Sequence, residues 1–170
     1  QKKIFDGNSK FKTTVVPTGN WRGMVMRTDT APFDNPKVRK AVRMAVDRQE
    51  LVDLVMGGAA TVSCDTPVAP SDQYRLDMDC SQDINGAKKL LSEAGYPNGI
   101  EMTIHVSTKE PTWPTIAEVM QQQLAKAGIK ADIQMTPSKS YWKETWMKKA
   151  VAMTRWNERP ADSALHEIYH

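Results

Sequence analysis

Apolar and polar side chains alternate from Ile100 to Val106, where Ile100, Met102, Ile104 and Val106 interleave with Glu101, Thr103 and His105. A period of two predicts a half-buried strand. The apolar period then lengthens. Ile116, Val119, Met120, Leu124 and Ala127 fall on one helical stripe, and Gly128 stops it. Alternation resumes at Ile129, Ala131, Ile133 and Met135. Strand, helix and strand in succession predict a βαβ crossover, with parallel strands and a right-handed connection.

The same patterns organise the rest of the chain. Thr13 to Val16 and Trp21 to Arg27 read as strands, separated by the turn signal Pro17-Thr18-Gly19-Asn20. Asp34-Asn35-Pro36 combines a capping side chain with a first-turn proline, and Val38, Ala41, Val42, Ala45 and Val46 form the apolar stripe of the helix that follows. Asp47 and Glu50 have capping-box spacing and predict a second helix that stops at Gly57-Gly58. No period is visible from Ala59 to Gln82, an irregular and acidic excursion. Asp83 then caps a helix bearing Ile84, Ala87, Leu90, Leu91 and Ala94, which ends in Gly95-Tyr96-Pro97-Asn98-Gly99. A helix rich in aromatics (Tyr141, Trp142, Trp146) and a strand from Val151 to Trp156 complete an α/β layer.

Composition narrows the class without changing this picture. The 170 residues are 40% hydrophobic and 25% charged, ordinary globular usage that suits a single domain over 1–170 with no internal linker. No apolar run approaches the ~18 residues of a membrane helix, and no signal peptide opens the chain. Gln1 is not an initiator, so the chain is expected to be a processed or excised piece, with Gln1 and His170 at the cuts. Residues 1–60 carry 11 basic and 6 acidic groups. Lys37, Arg39, Lys40 and Arg43 lie largely off the apolar stripe, as a solvated face would, and the footprint expected of a nucleic-acid binder is missing.

Three features could carry chemistry. Cys64 and Cys80 stand near the two ends of the irregular excursion. With no CxxC and no nearby His, a disulfide that closes this loop is favoured over zinc or two unpaired thiols, and it points to an oxidising compartment. His166-Glu167-Ile168-Tyr169-His170 matches HExxH, in which two histidines one turn apart hold zinc and the Glu acts as base. The motif ends on the last residue and His105 is the only other histidine, so a solvent-facing helix is the stronger reading and a zinc metallopeptidase the alternative. No GxSxG, P-loop or GxGxxG is present. Thr154 to Asp162 lies where a strand gives way to a loop, the usual place for ligands in an open α/β sheet. There Trp156 offers a stacking face, Arg159 a planar fork for a carboxylate, and Asn157 two-way hydrogen bonding. The alternative is an edge Trp packed on the core beside a solvated arginine.

The order of segments resembles the dipeptide/oligopeptide/nickel class of extracytoplasmic solute-binding proteins of ABC transporters, bacterial solute-binding protein family 5. Thr30-Ala31-Pro32-Phe33-Asp34-Asn35-Pro36-Lys37-Val38-Arg39-Lys40-Ala41-Val42 with Ala45-Val46-Asp47-Arg48 is similar to its "PFDNxxVRxAxxxAxDR" signature. Ala87-Lys88-Lys89-Leu90-Leu91-Ser92-Glu93-Ala94-Gly95-Tyr96-Pro97-Asn98-Gly99 is similar to "AKKLLAEAGYPNG". Leu124 to Lys130 resembles the step "LxxAGIxV", with Ala131 in place of the final valine. Capping and helix faces account for these signature residues, and none needs a ligand role.

The resemblance implies a periplasmic-binding-protein type II lobe, an α/β unit whose mixed sheet contains the βαβ crossover and is flanked by helices. It would be the C-terminal lobe of a longer two-lobed protein that closes around a ligand. It also implies periplasmic delivery of peptides or a related small solute to ABC permease subunits, with no catalysis and no cofactor. Peptide-binding relatives have a "WxxDxxDPD"-like segment whose Asp pairs with the ligand's α-ammonium. Here Trp156-Asn157-Glu158-Arg159-Pro160-Ala161-Asp162 puts an arginine where that carboxylate would be. Trp156, Arg159, Pro160 and Asp162 fit another branch, "WxGRPDPD", from which Glu158, Ala161 and Ser163 depart. An arginine favours an anionic ligand group. The expected ligand-binding residues are therefore Trp156, Asn157, Arg159 and Asp162, with Trp21 and Tyr141 as further lining candidates.

Overall fold

The computed structural model describes residues 8–14, 16 and 18–169. Strands β1 (Trp21–Met26), β2 (Ile100–Ser107), β3 (Ile129–Thr136) and β4 (Val151–Trp156) form one sheet in the order β1-β4-β2-β3. Strand β2 runs parallel to both β3 and β4, whereas β1 pairs antiparallel with β4, so the sheet is mixed. Helices α1 (Pro36–Met44), α2 (Arg48–Met56), α3 (Ile84–Glu93), α4 (Trp113–Lys126) and α5 (Ala161–Tyr169) complete the α/β architecture. The β2-α4-β3 unit is the parallel crossover that the alternating pattern predicts.

The helices begin where capping chemistry puts them. Asn35 accepts from the Lys37 amide at 2.9 Å, Asp47 from Glu50 at 3.0 Å and Asp83 from Gly86 at 2.7 Å, each satisfying a backbone donor that the helix leaves open. Gly57 ends α2 in the left-handed conformation at φ 58°. Between α4 and β3 the chain turns at Gly128 against Gly99, where a Cβ on Gly99 would overlap the Gly128 carbonyl oxygen. That close approach lets the Ile100 amide donate to the Gly128 carbonyl and start the β2–β3 ladder.

One core joins sheet and helices: Val38, Ala41 and Val42 of α1, Leu91 of α3, Ile104 and Val106 of β2, Leu124 of α4, and Ile129 of β3, all essentially inaccessible. Burying each large aliphatic side chain contributes about 1.5–3 kcal/mol relative to leaving it in water. Gln123 is the largest of the buried polar side chains among the described residues. Its amide nitrogen donates to the Asp47 carbonyl at 3.1 Å and the Glu50 carboxylate at 2.6 Å, and its oxygen accepts from the Asp47 amide at 3.0 Å. It thereby ties α4 to the start of α2.

Residues 59–82 form no helix or strand, as their lack of period implies. Cys64 and Cys80 are joined by a disulfide, with Cα atoms 5.4 Å apart. Arginines do the rest. Arg75 donates to the carbonyls of Val68 and Ser63, both at 2.7 Å, and Arg48 donates to the Cys80 carbonyl at 3.0 Å. Asp65 accepts from both Arg43 and Arg48; burial pushes its carboxyl up, but the two guanidinium groups outweigh that and hold it below the usual range.

Three expectations need correction. Thr13, Thr14 and Val16 are exposed and outside the sheet, while Val15 and Pro17 fall outside the described residues. Strand β1 pairs only with β4, and this segment, whose described residues bury no side chain, adds nothing to its outer edge. The aromatic segment is not a regular α-helix: Ser138–Ser140 runs into a π-helical turn, Tyr141–Thr145, closed by Trp146 N–H donating to the Tyr141 carbonyl at 2.9 Å. Tyr141 sits wholly in the core, with its hydroxyl donating to the Met153 carbonyl at 2.6 Å and lying 3.1 Å from that of His105, so the wide turn serves a buried anchor. Met135, placed inward by alternation, is 43% exposed, because β3 is an edge strand and this residue stands near its end.

His105 is half-buried, and its Nδ1 has no partner among the described residues. Burial, with a smaller contribution from the Lys149 charge, holds its pKa below the ordinary 6.5. The unfolded chain therefore binds a proton where the folded chain does not, and stability falls as pH drops below 6.5. Urea midpoints at pH 7.5 and 5.5 should differ less in His105→Gln than in the wild type. Breaking the disulfide, whose cysteines are 16 positions apart, with Cys64→Ser/Cys80→Ser should cost about 3 kcal/mol by urea unfolding. Tyr141→Phe should lower stability by about 1–2 kcal/mol through the lost hydrogen bond to the Met153 carbonyl, read in the same experiment.

Candidate functional site

Strand β4 sets the site. His105 of β2 is level with Ala152, so by that register Ser107, the last residue of β2, is level with Thr154. Arg155 and Trp156 thus run past the carboxyl end of the neighbouring parallel strand, the edge at which open α/β sheets hold ligands. The antiparallel partner extends equally far, since Trp21 begins β1 directly opposite Trp156. The two indoles stack with centroids 6.3 Å apart and planes 15° from parallel. Both remain partly exposed.

The loop that leaves β4 is fastened at its base. The Glu158 amide donates to Asn20 Oδ1 at 2.9 Å, which joins the loop to the turn before β1. Gly19 has φ 61°, the left-handed conformation that favours glycine, and the Glu158 side chain lies over its open Cα. Arg159 lies against Trp156, its Cζ 5.9 Å from the ring centroid, and its Nη1 is ion-paired with Glu167 Oε1 of α5. On the strand itself, Arg155 Nε stands 3.5 Å from Glu110 Oε1 in the loop after β2.

The structure therefore brings Trp21, Trp156 and Arg159 together. Asn157 and Asp162 are exposed on the same loop and first helical turn. Tyr141 stands apart: it is a core residue, and burial raises its phenol well above the usual pKa. The outward-facing aromatic of that segment is its neighbour Trp142, half exposed and in edge contact with Trp113, Tyr141 and Trp146. Sequence reasoning passed over Trp142, because a tandem Tyr-Trp in an irregular turn gives no period from which to tell inside from outside.

The HExxH reading finds no support in the geometry. Glu167, which would have to act on a zinc-bound water, is ion-paired with Arg159, and His170 lies outside the described residues. Among the described residues no three His, Cys, Asp or Glu side chains group to hold a metal ion, and no helix is long and apolar enough to cross a membrane.

Comparison with known proteins places this arrangement. The chain is 36% identical to the glutathione-binding protein GsiB of Escherichia coli strain K12 over 134 residues, which are 78% of this chain and 26% of that protein. The corresponding protein of Pectobacterium atrosepticum is 34% identical over the same length. Among solved structures, the periplasmic binding protein DppA of Helicobacter pylori, in complex with the peptide STSA, superposes with a TM-score of 0.76 at 27% identity, covering 90% of this chain and 31% of that one. AgaA of A. tumefaciens R10, in complex with agropinic acid, gives 0.76 at 25% identity, covering 88% and 32%. The chain thus spans about a quarter of the curated relatives it matches, at 26% of their length. Residues 1–168 match the model of the bacterial extracellular solute-binding proteins, family 5 Middle, and the chain belongs to that family.

Proposed function

We propose that residues 1–170 form one lobe of a two-lobed, extracytoplasmic solute-binding protein. It binds a small, peptide-like solute by lobe closure and delivers it to the membrane subunits of an ABC importer, without chemical conversion. The observation that carries this reading is Arg159, held on the Trp156 face at the carboxyl edge of the sheet. An arginine there favours a ligand carboxylate over the free ammonium that an aspartate would take. Glutathione, a peptide and agropinic acid, the ligands named for relatives, all carry carboxylates. The disulfide between Cys64 and Cys80 supports an oxidising, periplasmic setting.

In this reading Arg159 meets the ligand carboxylate, Trp156 packs beside it with Trp21 behind, and Asn157 and Asp162 supply polar contacts from the same loop. Tyr141 contributes by fixing β4 and β2 from within the core rather than by touching solute. Mass spectrometry of the natively purified full-length protein should release a small molecule bearing at least one carboxylate. Arg159→Ala should weaken binding of that molecule by about tenfold or more, given ~1.5–3 kcal/mol for hydrogen bonds to a charged group. Unchanged affinity by titration calorimetry would remove Arg159 from the site.

A further inference from the structure

The guanidinium of Arg159 is engaged at one corner only. Its Nη1 is paired with Glu167 Oε1, and among the described residues no other oxygen accepts from it. Two other arginines of this chain show how such a group takes a carboxylate fully. Arg27 grips Asp29 through Nε at 2.8 Å and Nη2 at 2.5 Å, and Arg48 grips Asp65 through the same Nε–Nη2 edge. In Arg159 that edge is left open. The guanidinium plane is meanwhile restrained by two neighbours, the Trp156 ring at 5.9 Å and the Glu167 carboxylate.

We infer that Glu167 is a positioning residue: it holds Arg159 by Nη1 above Trp156, so that the Nε–Nη2 edge is presented to a ligand carboxylate. The inference rests on the function proposed above and adds to it the residue that orients the arginine. A carboxylate that merely competed with ligand would occupy the side-on edge, as Asp29 and Asp65 do. Glu167 leaves it vacant. Ordering a long arginine side chain on binding costs about 0.5–1.5 kcal/mol, and an anchor already in place before the ligand arrives reduces that cost. The Glu of the HExxH pattern thus acquires a role that involves no metal.

The test uses the full-length protein with two probes, reduced glutathione and the peptide Ser-Thr-Ser-Ala, the latter also as its C-terminal amide. Calorimetric affinities are compared for the wild type, Arg159→Ala, Glu167→Ala and Glu167→Gln. Glu167→Ala should bind the acid probes about two- to fivefold more weakly, the range of a partly exposed ion pair. Glu167→Gln, whose amide oxygen still accepts from Nη1, should stay within about twofold of wild type. Neither substitution should alter binding of the amide, and equal thermal midpoints exclude a general loss of fold. If Arg159→Ala weakens the acid probes while Glu167→Ala is neutral or tighter, the positioning role is wrong and the proposed function stands. If Arg159→Ala is neutral, or the wild type binds neither acid probe, the carboxylate-binding role proposed for Arg159 fails and the positioning role with it.

Discussion

Strand β4 is the one element bonded in both senses, antiparallel to β1 on one side and parallel to β2 on the other. Its first four residues, Val151 to Thr154, are buried, and water cannot satisfy their backbone groups. Both neighbours must therefore be in register before β4 can be buried at all. Register in a sheet is a discrete choice, since a slip of one residue turns every side chain to the opposite face. The register that buries Ala152 and Thr154 also puts Trp156 opposite Trp21 and beyond the end of β2. The stacked indoles, and the arginine resting on them, are consequences of how the core is closed.

Tyr141 shows how firmly that closure is specified. A fully buried phenol donates to the β4 carbonyl at Met153 and lies within hydrogen-bond reach of the β2 carbonyl at His105, bridging two adjacent strands from a turn that widens to five residues to reach them. Elsewhere in the fold, Asp65 receives two arginines, and the disulfide and Arg75 fix the remaining irregular chain. The excursion has no period and buries few of its apolar side chains, Cys64, Val68 and Ala69 among them while Tyr74, Leu76 and Met78 stay exposed, so covalent and ionic links replace packing there.

The parts legible in the sequence were those with a period or a cap. Four alternating apolar residues on each of β2 and β3, with a helical stripe between them, gave the parallel unit, Asp47 and Asp83 marked two helix starts to the residue, and Asp34-Asn35-Pro36 contained a third. The sequence favoured pairing of the two cysteines across an aperiodic loop over zinc or free thiols, and the structure joins them. What escaped depended on contacts between segments distant in sequence. Thr13 to Val16 has strand composition, but Thr13, Thr14 and Val16 stay exposed outside the sheet, and composition alone does not tell whether a segment is buried by pairing. Tyr141 and Trp142 are adjacent and chemically alike, and only the positions of β2 and β4 decide which of them is buried. Arg159 and Glu167 are eight residues apart across a loop and a helix start, a spacing that corresponds to no secondary-structure rule.

On the proposed reading, the exposure of this arginine has an energetic meaning. A single lobe offers the ligand one face, a tryptophan pair and a guanidinium edge, whereas small-molecule sites bury about 70–90% of their ligand. On that reading the opposing surface is supplied by the second lobe. Two unit charges 4 Å apart attract by about 1 kcal/mol in water and about 4 kcal/mol at the effective dielectric of a protein surface. The same contact between Arg159 and a carboxylate therefore gains severalfold in strength once closure excludes water. Discrimination between an anionic ligand group and a neutral one then develops mainly on closing rather than on first contact. An arginine aligned in the open lobe suits that sequence of events, because its orientation is set while the charge is still screened and its full strength is expressed only in the closed protein.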